Sequence, residues 1–170
     1  MNTIVVRDAT EADFERIVAL NAMWVQETSP MDIVRLRHLH GFAFHHRIAL
    51  VDGQVAAFLL AMRDGTAYLN DNYGWFSAQY PHFVYVDRIV VDATVSGRGI
   101  GRLLYEDLFA RSRASDIGMI ACEYNIEPPN PASKAFHDRF GFVEVGTHHV
   151  AGGSKRVSLQ IAYIMEHTAA

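Results

Sequence analysis

The amino-acid sequence predicts a single α/β domain, and three observations lead to that fold class. The chain has 170 residues, of which 50% are hydrophobic, which is enough for one core and too little for two ordinary domains. β-branched runs alternate with segments of helical spacing in the order β-α-α-β-β-β-α-β-α-β-β. No repeat or low-complexity linker interrupts this order, so we predict one domain over residues 1–170.

The first third of the chain predicts a strand, two helices and a hairpin. Thr10 is a suitable N-cap for the first helix, and Pro30 suits the first position of the second. Asp52-Gly53 is a strong signal for an antiparallel hairpin. The predicted bounds are strand 3–7, helix 10–26, helix 30–41, and strands 46–52 and 54–62.

Residues 64–82 break the pattern and are predicted to form a long loop. A connection of this length in a compact domain is usually functional or disordered, and its many aromatic residues argue against disorder. Two alternatives stay open, a substrate-binding lid and a loop whose aromatic side chains plug the core. If it is a lid, Tyr73, Trp75 and Phe76 are candidate substrate contacts.

The rest of the chain returns to alternating strands and helices. Asp87 and Arg88, predicted to point in opposite directions, lie in an otherwise apolar strand. The helix after that strand is predicted to turn Leu103, Leu104 and its later apolar residues inward. The predicted bounds are strand 83–92, helix 99–115, strand 119–126, helix 131–140, and strands 142–147 and 157–165.

The turn between strand 83–92 and the following helix is a predicted anion site. It reads Ser96-Gly97-Arg98-Gly99-Ile100-Gly101, and glycines let backbone N–H groups approach a ligand closely. The helix N-terminus adds unsatisfied N–H groups and a positive dipole end, and Arg102 adds charge. The turn lacks the Gly-Lys-Ser/Thr of a P-loop, and both its place and its spacing differ from a dinucleotide-binding turn.

Two motifs resemble those of the GNAT acetyltransferase superfamily. The turn is similar to the family signature Gln/Arg-x-x-Gly-x-Gly/Ala, which follows a strand rich in valine and isoleucine. The segment from Asn130 to Phe142 is similar to the family helix Asn-x-x-Ala/Ser-x-x-Leu/Phe-Tyr-x-x-Leu/Phe-Gly-Phe, about 30 residues further on. Two residues depart from these motifs. Ser96 lies where the turn signature has Gln or Arg, and His137 lies where the helix motif has Tyr.

The resemblance implies a fold and a co-substrate. The implied fold is a mixed, mostly antiparallel sheet of about six or seven strands, with helices on both faces and with strands four and five splayed apart. The implied co-substrate is acetyl-CoA, with its pyrophosphate on the turn and its pantetheine arm along the edge of strand four. The implied cofactor contacts are Ile89, Val90, Val91, Ser96, Gly97, Arg98, Gly99, Ile100, Gly101, Arg102, Asn130 and Ser133.

Acetyl transfer to an amine also needs a group that accepts the amine proton, and two carboxylates are candidates. Glu123 shares a strand face with Asn125, a candidate substrate contact, and Asp87 lies in the preceding strand. A carboxylate in an apolar strand has either a partner or a function, so catalysis, binding of the substrate ammonium and an ion pair to an arginine all stay open.

The thioester oxygen and the leaving thiolate need groups of their own. A backbone N–H near Val91 is the expected donor to the oxygen. For the thiolate, His137 is the candidate acid at the usual tyrosine position, with Tyr105, Tyr124 or the 73–85 segment as alternatives. It also stays open that the thiolate leaves without help and that His137 only packs.

We therefore expect an acetyl-CoA-dependent N-acetyltransferase that acts on a primary amine of a small molecule or peptide, by direct transfer in a ternary complex. The alternative is a non-catalytic CoA- or acyl-CoA-binding or sensor module with the same fold. The net charge of −4 and the lack of a basic run argue against a nucleic-acid partner.

The remaining features of the sequence bear on the cellular location and on metal cofactors. Neither a signal peptide nor a membrane span is indicated, and we expect a cytoplasmic protein. Lone Cys122 is interpreted as a small buried side chain, and no metal-ligand spacing occurs among the histidines, so no metal is predicted. A homodimer stays open.

Overall fold

The structure is a computed structural model and describes residues 3–165. The chain divides into two compact units. The first holds the described residues up to 62 together with 87–110, and the second holds 63–86 together with the described residues from 111 onward. The single domain over residues 1–170 stays a prediction.

The fold is a mixed α/β arrangement, as the sequence predicts. Seven strands form a sheet in the order β1-β2-β3-β4-β5-β7-β6. The β4–β5 ladder is parallel, and the other recorded ladders are antiparallel. The strands are β1 (Ile4–Asp8), β2 (Ala43–Val51), β3 (Gln54–Arg63), β4 (Val84–Val91), β5 (Met119–Glu127), β6 (Val143–Val150) and β7 (Lys155–Tyr163). The helices are α1 (Phe14–Met23), α2 (Ile33–Phe42), α3 (Asp71–Gln79), α4 (Ile100–Ala114) and α5 (Pro131–Arg139).

The β4–β5 ladder is short. It joins Val84 to Ile120 and Tyr85 to Ala121, at the start of both strands. A parallel ladder confined to the first residues is what strands that splay apart later require.

The start of the first helix agrees with the prediction, and that of the second does not. Thr10 forms a capping box with Asp13, in a short 3₁₀ turn that leads into α1. The prediction that Pro30 opens the second helix is wrong, because α2 begins at Ile33. The carboxylate of Asp32 accepts a hydrogen bond from the backbone N–H of Arg35 at 2.7 Å, and this cap sets the helix start.

The predicted hairpin between β2 and β3 is confirmed. Asp52 and Gly53 have φ values of 50° and 82°, so both lie in the left-handed region that a two-residue hairpin of this kind needs. The backbone N–H of Thr3 also donates to the Asp52 carboxylate at 2.9 Å, which ties β1 to the turn.

Helix α4 differs from the prediction at one position. Leu103 is 39% exposed, whereas Leu104, Tyr105 and Leu108 are fully buried. Positions 104, 105 and 108 follow helical spacing and define the inward face, which leaves Leu103 on its edge.

The loop predicted for residues 64–82 contains helix α3. Asn70 caps it by accepting a hydrogen bond from the backbone N–H of Tyr73 at 3.0 Å. The helix carries little amphipathic periodicity because glycine and polar residues are mixed among its aromatic ones, so the sequence predicted a loop here.

The aromatic side chains of α3 pack into the second unit. Tyr73 and Phe76 are 3% and 0% exposed, and the Tyr73 hydroxyl donates to the Arg63 carbonyl at 2.7 Å. Trp75 lies against Gly146 of β6, where a Cβ would come within 2.9 Å of the indole. This packing favours the core plug over the lid.

The close contact of Trp75 with Gly146 predicts a measurable packing cost. Gly146→Ala should lower the free energy of unfolding by about 1–3 kcal/mol, because the new methyl group overlaps the indole ring. Urea unfolding of this variant should be compared with Gly118→Ala, where a Cβ meets no atom within 4 Å. Equal stability of the two variants would contradict the packing described here.

A buried histidine lies in the first unit. His46 is 6% exposed, and its Nδ1 lies 2.8 Å from Nδ1 of His40. Burial, followed by the charge of His40, lowers the pKa of His46 from 6.5 to about 4, while Asp13 and Asp8 act in the opposite direction.

This lowered pKa makes stability depend on pH. Between pH 6.5 and about 4 the unfolded chain binds a proton that the folded state refuses. The free energy of unfolding should therefore fall by about 3 kcal/mol as the pH decreases through this window. Urea titrations from pH 7.5 to 4.5 should show this slope in the parent protein and in His149→Gln, whose side chain is exposed, and a shallower slope in His46→Leu. Identical slopes in all three would assign the effect to other groups.

Candidate active site

The predicted site residues fall in both units, and each group is described within its own unit. Asp87 and residues 89–102 belong to the first unit. The remaining candidates, on α3, β5 and α5, belong to the second.

The turn after β4 has the geometry of an exposed backbone cradle. Residues 96–99 are exposed, and Gly97 and Gly99 have φ values of 80° and 76°. A Cβ built on either glycine meets no atom within 4 Å, so the backbone conformation selects glycine and the space beside the turn is open. Helix α4 begins at Ile100, and its first N–H groups have no partner in an earlier turn of helix. These residues fit a phosphate-bearing ligand.

Asp92 holds the entry to this turn. Its backbone N–H donates to the Ala56 carbonyl at 2.8 Å, and its carboxylate accepts from the N–H and hydroxyl of Thr94 at 2.9 and 2.8 Å. Arg16 of α1 donates to the second carboxylate oxygen at 2.6 Å. The hydrogen bonds from Thr94, with that from Arg16, hold the pKa of Asp92 below its usual range.

Two arginines of the turn supply charge. Arg98 is exposed. Arg102 donates to Glu106 at 2.6 Å, in a pair whose side chains are 74% and 47% exposed. An ion pair this exposed contributes little to stability, so the guanidinium can turn to a stronger anion at small cost.

The predicted edge at residues 89–91 alternates in burial. Val90 is 2% exposed and packs in the core, while Ile89 and Val91 are half-buried. The indole N–H of Trp24 donates to the Val91 carbonyl at 2.9 Å, a contact that sequence reasoning missed because Trp24 follows α1 without any motif. The expected role of the Val91 N–H stays a prediction.

Asp87 forms the ion pair that the sequence left as an alternative to catalysis. Its carboxylate accepts from Arg88 Nε at 2.7 Å, and the two side chains are 3% and 5% exposed. The expectation that Arg88 points away is wrong, since its long side chain brings the guanidinium back to the neighbouring carboxylate. Arg88 also donates to Asn21 and to the Ser29 carbonyl, both at 3.1 Å, and thereby ties β4 to the α1–α2 connection. The pair favours a structural role for Asp87, whose catalytic role stays a prediction.

Glu123 has a partner in the second unit. It is half-buried on β5, and its Oε1 accepts a hydrogen bond from the Tyr85 hydroxyl at 2.7 Å. Asn125 is half-buried two residues further along the strand, while Cys122 and Tyr124 are 2% and 8% exposed. The strand thus separates a carboxylate-bearing face from a more buried face, in keeping with the predicted alternation.

Helix α5 begins as the sequence predicts. The side chain of Asn130 accepts from the Ser133 N–H at 3.2 Å, and Pro131 occupies the first helical turn. This confirms the cap at Asn130. The binding of pantetheine by Asn130 and Ser133 stays a prediction.

His137 is a buried, neutral group. It is 5% exposed, and its Nδ1 lies 2.7 Å from the Ser133 carbonyl, which can only accept, so Nδ1 carries the proton. Burial lowers its pKa, and the neutral ring then has no proton on Nε2. Its ring packs 5.4 Å from that of Tyr124, whose own pKa is raised by burial. Tyr124 therefore keeps its hydroxyl proton at neutral pH, and of the two it is the better proton donor.

The role of Asp92 can be tested by truncation. Asp92→Ala should lower the free energy of unfolding by about 1–2 kcal/mol, since Thr94 and Arg16 both lose their acceptor. Arg16→Met keeps the contacts with Thr94 and should cost less. Urea unfolding of both variants measures the difference, and an Asp92→Ala protein as stable as the parent would remove Asp92 from this role.

The seven-stranded mixed sheet and the glycine turn after its fourth strand are the arrangement that the sequence resemblance implies for an acetyltransferase. The model of the acetyltransferase (GNAT) family matches residues 6–142. The chain belongs to this family.

Solved structures share the fold at low identity. Ard1 from Thermoplasma volcanium is 14% identical, with a TM-score of 0.78 over 96% of this chain and 99% of its own. The yncA protein from Salmonella typhimurium, solved with its cofactor acetyl-CoA, is 18% identical, with a TM-score of 0.71 over 99% and 98%.

A curated relative matches over a shorter range. Phosphinothricin N-acetyltransferase from Streptomyces coelicolor is 42% identical over 64 residues, which are 38% of this chain and 36% of the relative. The match thus spans about a third of that relative's length. Within residues 3–165, no helix has the length and apolar character to cross a membrane.

Proposed function

We propose that the protein transfers an acetyl group from acetyl-CoA to a primary amine of a small molecule or peptide, directly within a ternary complex. Family membership supports acetyl transfer, and the partial match to an N-acetyltransferase supports an amine as the acceptor. The yncA structure, which carries acetyl-CoA, supports the choice of co-substrate. The proposal places the protein in the cytoplasm, without a nucleic-acid or membrane partner.

The observation that carries the proposal is the exposed turn from Ser96 to Gly101. Gly97 and Gly99 have left-handed φ values of 80° and 76°, and α4 begins at Ile100 directly after them. Backbone donors at a helix N-terminus bind phosphate groups without depending on a side chain, which also explains why Ser96 can replace the usual Gln or Arg. Arg98 and Arg102 add charge for the remaining phosphates.

We assign the proton-accepting role to Glu123. Its carboxylate is half-buried and held by a tyrosine, so it is oriented before an amine arrives. The amine nitrogen bonds to the acetyl carbon, the carbon–sulfur bond breaks, and the amine proton passes to Glu123. Acetyl-CoA supplies the activated thioester, and the Val91 N–H is the proposed donor to its oxygen.

The neutral state of His137 bears on the departing thiolate. A histidine that donates Nδ1–H to a backbone carbonyl and carries no proton on Nε2 holds the helix rather than supplying an acid. Tyr124 retains its hydroxyl proton and is the proposed acid in its place. His137→Phe should then reduce activity less than Tyr124→Phe.

Binding of CoA is tested at the turn. Gly99→Ala should raise the Kd for CoA about tenfold, because the new methyl group strains the left-handed residue and enters the cradle. Gly65→Ala is the matched control, since Gly65 has a φ of 78° and equally open space but lies outside the turn. Isothermal titration of both variants separates the loss of binding from the shared backbone strain. Equal affinity in the two variants would remove the turn from the CoA site.

Catalysis is tested by thiol release from acetyl-CoA across a panel of primary amines and short peptides. The parent protein should release thiol with at least one acceptor, and Glu123→Gln should lower kcat about a hundredfold while leaving CoA binding intact. Tight CoA binding without turnover on any amine, unchanged in Glu123→Gln, would instead support the non-catalytic CoA-binding module.

A further inference from the structure

Tyr85 is a fully buried tyrosine whose hydroxyl reaches the proposed catalytic carboxylate. It lies near the start of β4, is 0% exposed, and donates to Glu123 Oε1 at 2.7 Å. This distance is that of a strong hydrogen bond to a charged acceptor. The second unit therefore keeps a polar atom in its core at the cost of desolvation, and the carboxylate is what offsets that cost.

The ring of Tyr85 is held in place by α3. Tyr73 and Phe76 surround it at centroid distances of 5.6 and 6.0 Å, and the Tyr73 ring is itself fixed by the hydrogen bond of its hydroxyl to the Arg63 carbonyl. Rings packed in this way have few rotamers available. The direction of the Tyr85 hydroxyl is therefore set by packing, and through it the direction of the carboxylate.

Helix α3, which lies in the segment predicted as a loop, thus supports the Tyr85–Glu123 pair. Trp75 fills the space above Gly146, and Asn72 contacts His148 of β6 at 3.2 Å. These contacts lock α3 onto the same sheet face that carries Glu123, since β5, β7 and β6 are in register there. Apart from Tyr85, the titratable side chains that contacts and register place on this face include Tyr73, His148, Lys155 and Tyr163.

We propose that Tyr85 is a positioning residue for Glu123, and that it holds the carboxylate ionised and aimed at the incoming amine. The inference rests on the proposed function, because it assigns to Glu123 the acceptance of the amine proton. It goes beyond that function by making the aromatic cluster of α3 and β4 part of the catalytic apparatus, although the cluster binds no substrate itself.

The test is the pH profile of kcat/KM in Tyr85→Phe, which keeps the ring and removes only the hydroxyl. Loss of a hydrogen bond to the charged form should move the acid limb upward by about one pH unit and lower kcat about tenfold, with little change in KM. Tyr163→Phe is the control, since it also removes one tyrosine hydroxyl but Tyr163 is 63% exposed and lies at the end of β7, paired with Met119. Its acid limb should coincide with that of the parent.

A double-mutant cycle separates positioning from general stability. In the Glu123→Gln background, Tyr85→Phe should have no further effect on kcat, because the group through which it acts is gone. An unmoved acid limb, or losses that multiply in the double variant, would overturn the inference.

A measurement without turnover keeps the inference distinct from the proposed function. Carboxyl-carbon NMR of labelled glutamate should show the Glu123 titration at higher pH in Tyr85→Phe than in the parent, and an unchanged midpoint would overturn the inference alone. Absence of thiol release by the parent with every amine would overturn the proposed function, and with it the catalytic meaning of the pair.

Discussion

The first unit depends on the carboxylate of Asp92, because this one side chain ends a strand and starts a turn. The backbone of Asp92 closes β4 against β3, and its two oxygens are divided between Thr94 and Arg16. A glycine turn without such an anchor would sample many conformations. The affinity for a phosphate would then be reduced by the conformational entropy lost when the turn becomes ordered. With the anchor, the N–H groups of the turn are oriented before any ligand binds.

The second unit solves the same problem for a carboxylate with aromatic packing. Helix α3 is held by the packing of Tyr73, Trp75 and Phe76 and by the hydrogen bond of the Tyr73 hydroxyl to the Arg63 carbonyl. Tyr73 and Phe76, which the sequence offered as candidate substrate contacts, pack against the ring of Tyr85, and their role toward a substrate stays a prediction. Rigid packing suits the proposed proton acceptor, because the orientation of the accepting group affects the reaction rate more than it affects substrate binding.

The departure at His137 has a physical explanation within its own helix. The imidazole turns Nδ1–H back to the Ser133 carbonyl, one helical turn earlier. Burial lowers its pKa and favours the neutral ring. The acid role of His137 stays a prediction, and Tyr124, whose ring packs beside it, is the alternative.

The sequence by itself determined the class of fold, the order of the seven strands and of every described helix except α3, the hairpin at Asp52-Gly53 and the turn at Ser96–Gly101. These features rest on local rules of backbone conformation, capping and periodicity, which a few neighbouring residues express. The sequence did not predict helix α3 or the correct start of α2. Helix α3 has little periodicity, and the start of α2 is set by the Asp32 cap rather than by Pro30. Only the tertiary structure decided which side chains pair: Asp87 with Arg88, Glu123 with Tyr85 and Asp92 with Arg16. The last two pairs join residues 38 and 76 positions apart, and the first joins neighbours whose strand geometry points them apart, so no local pattern records them.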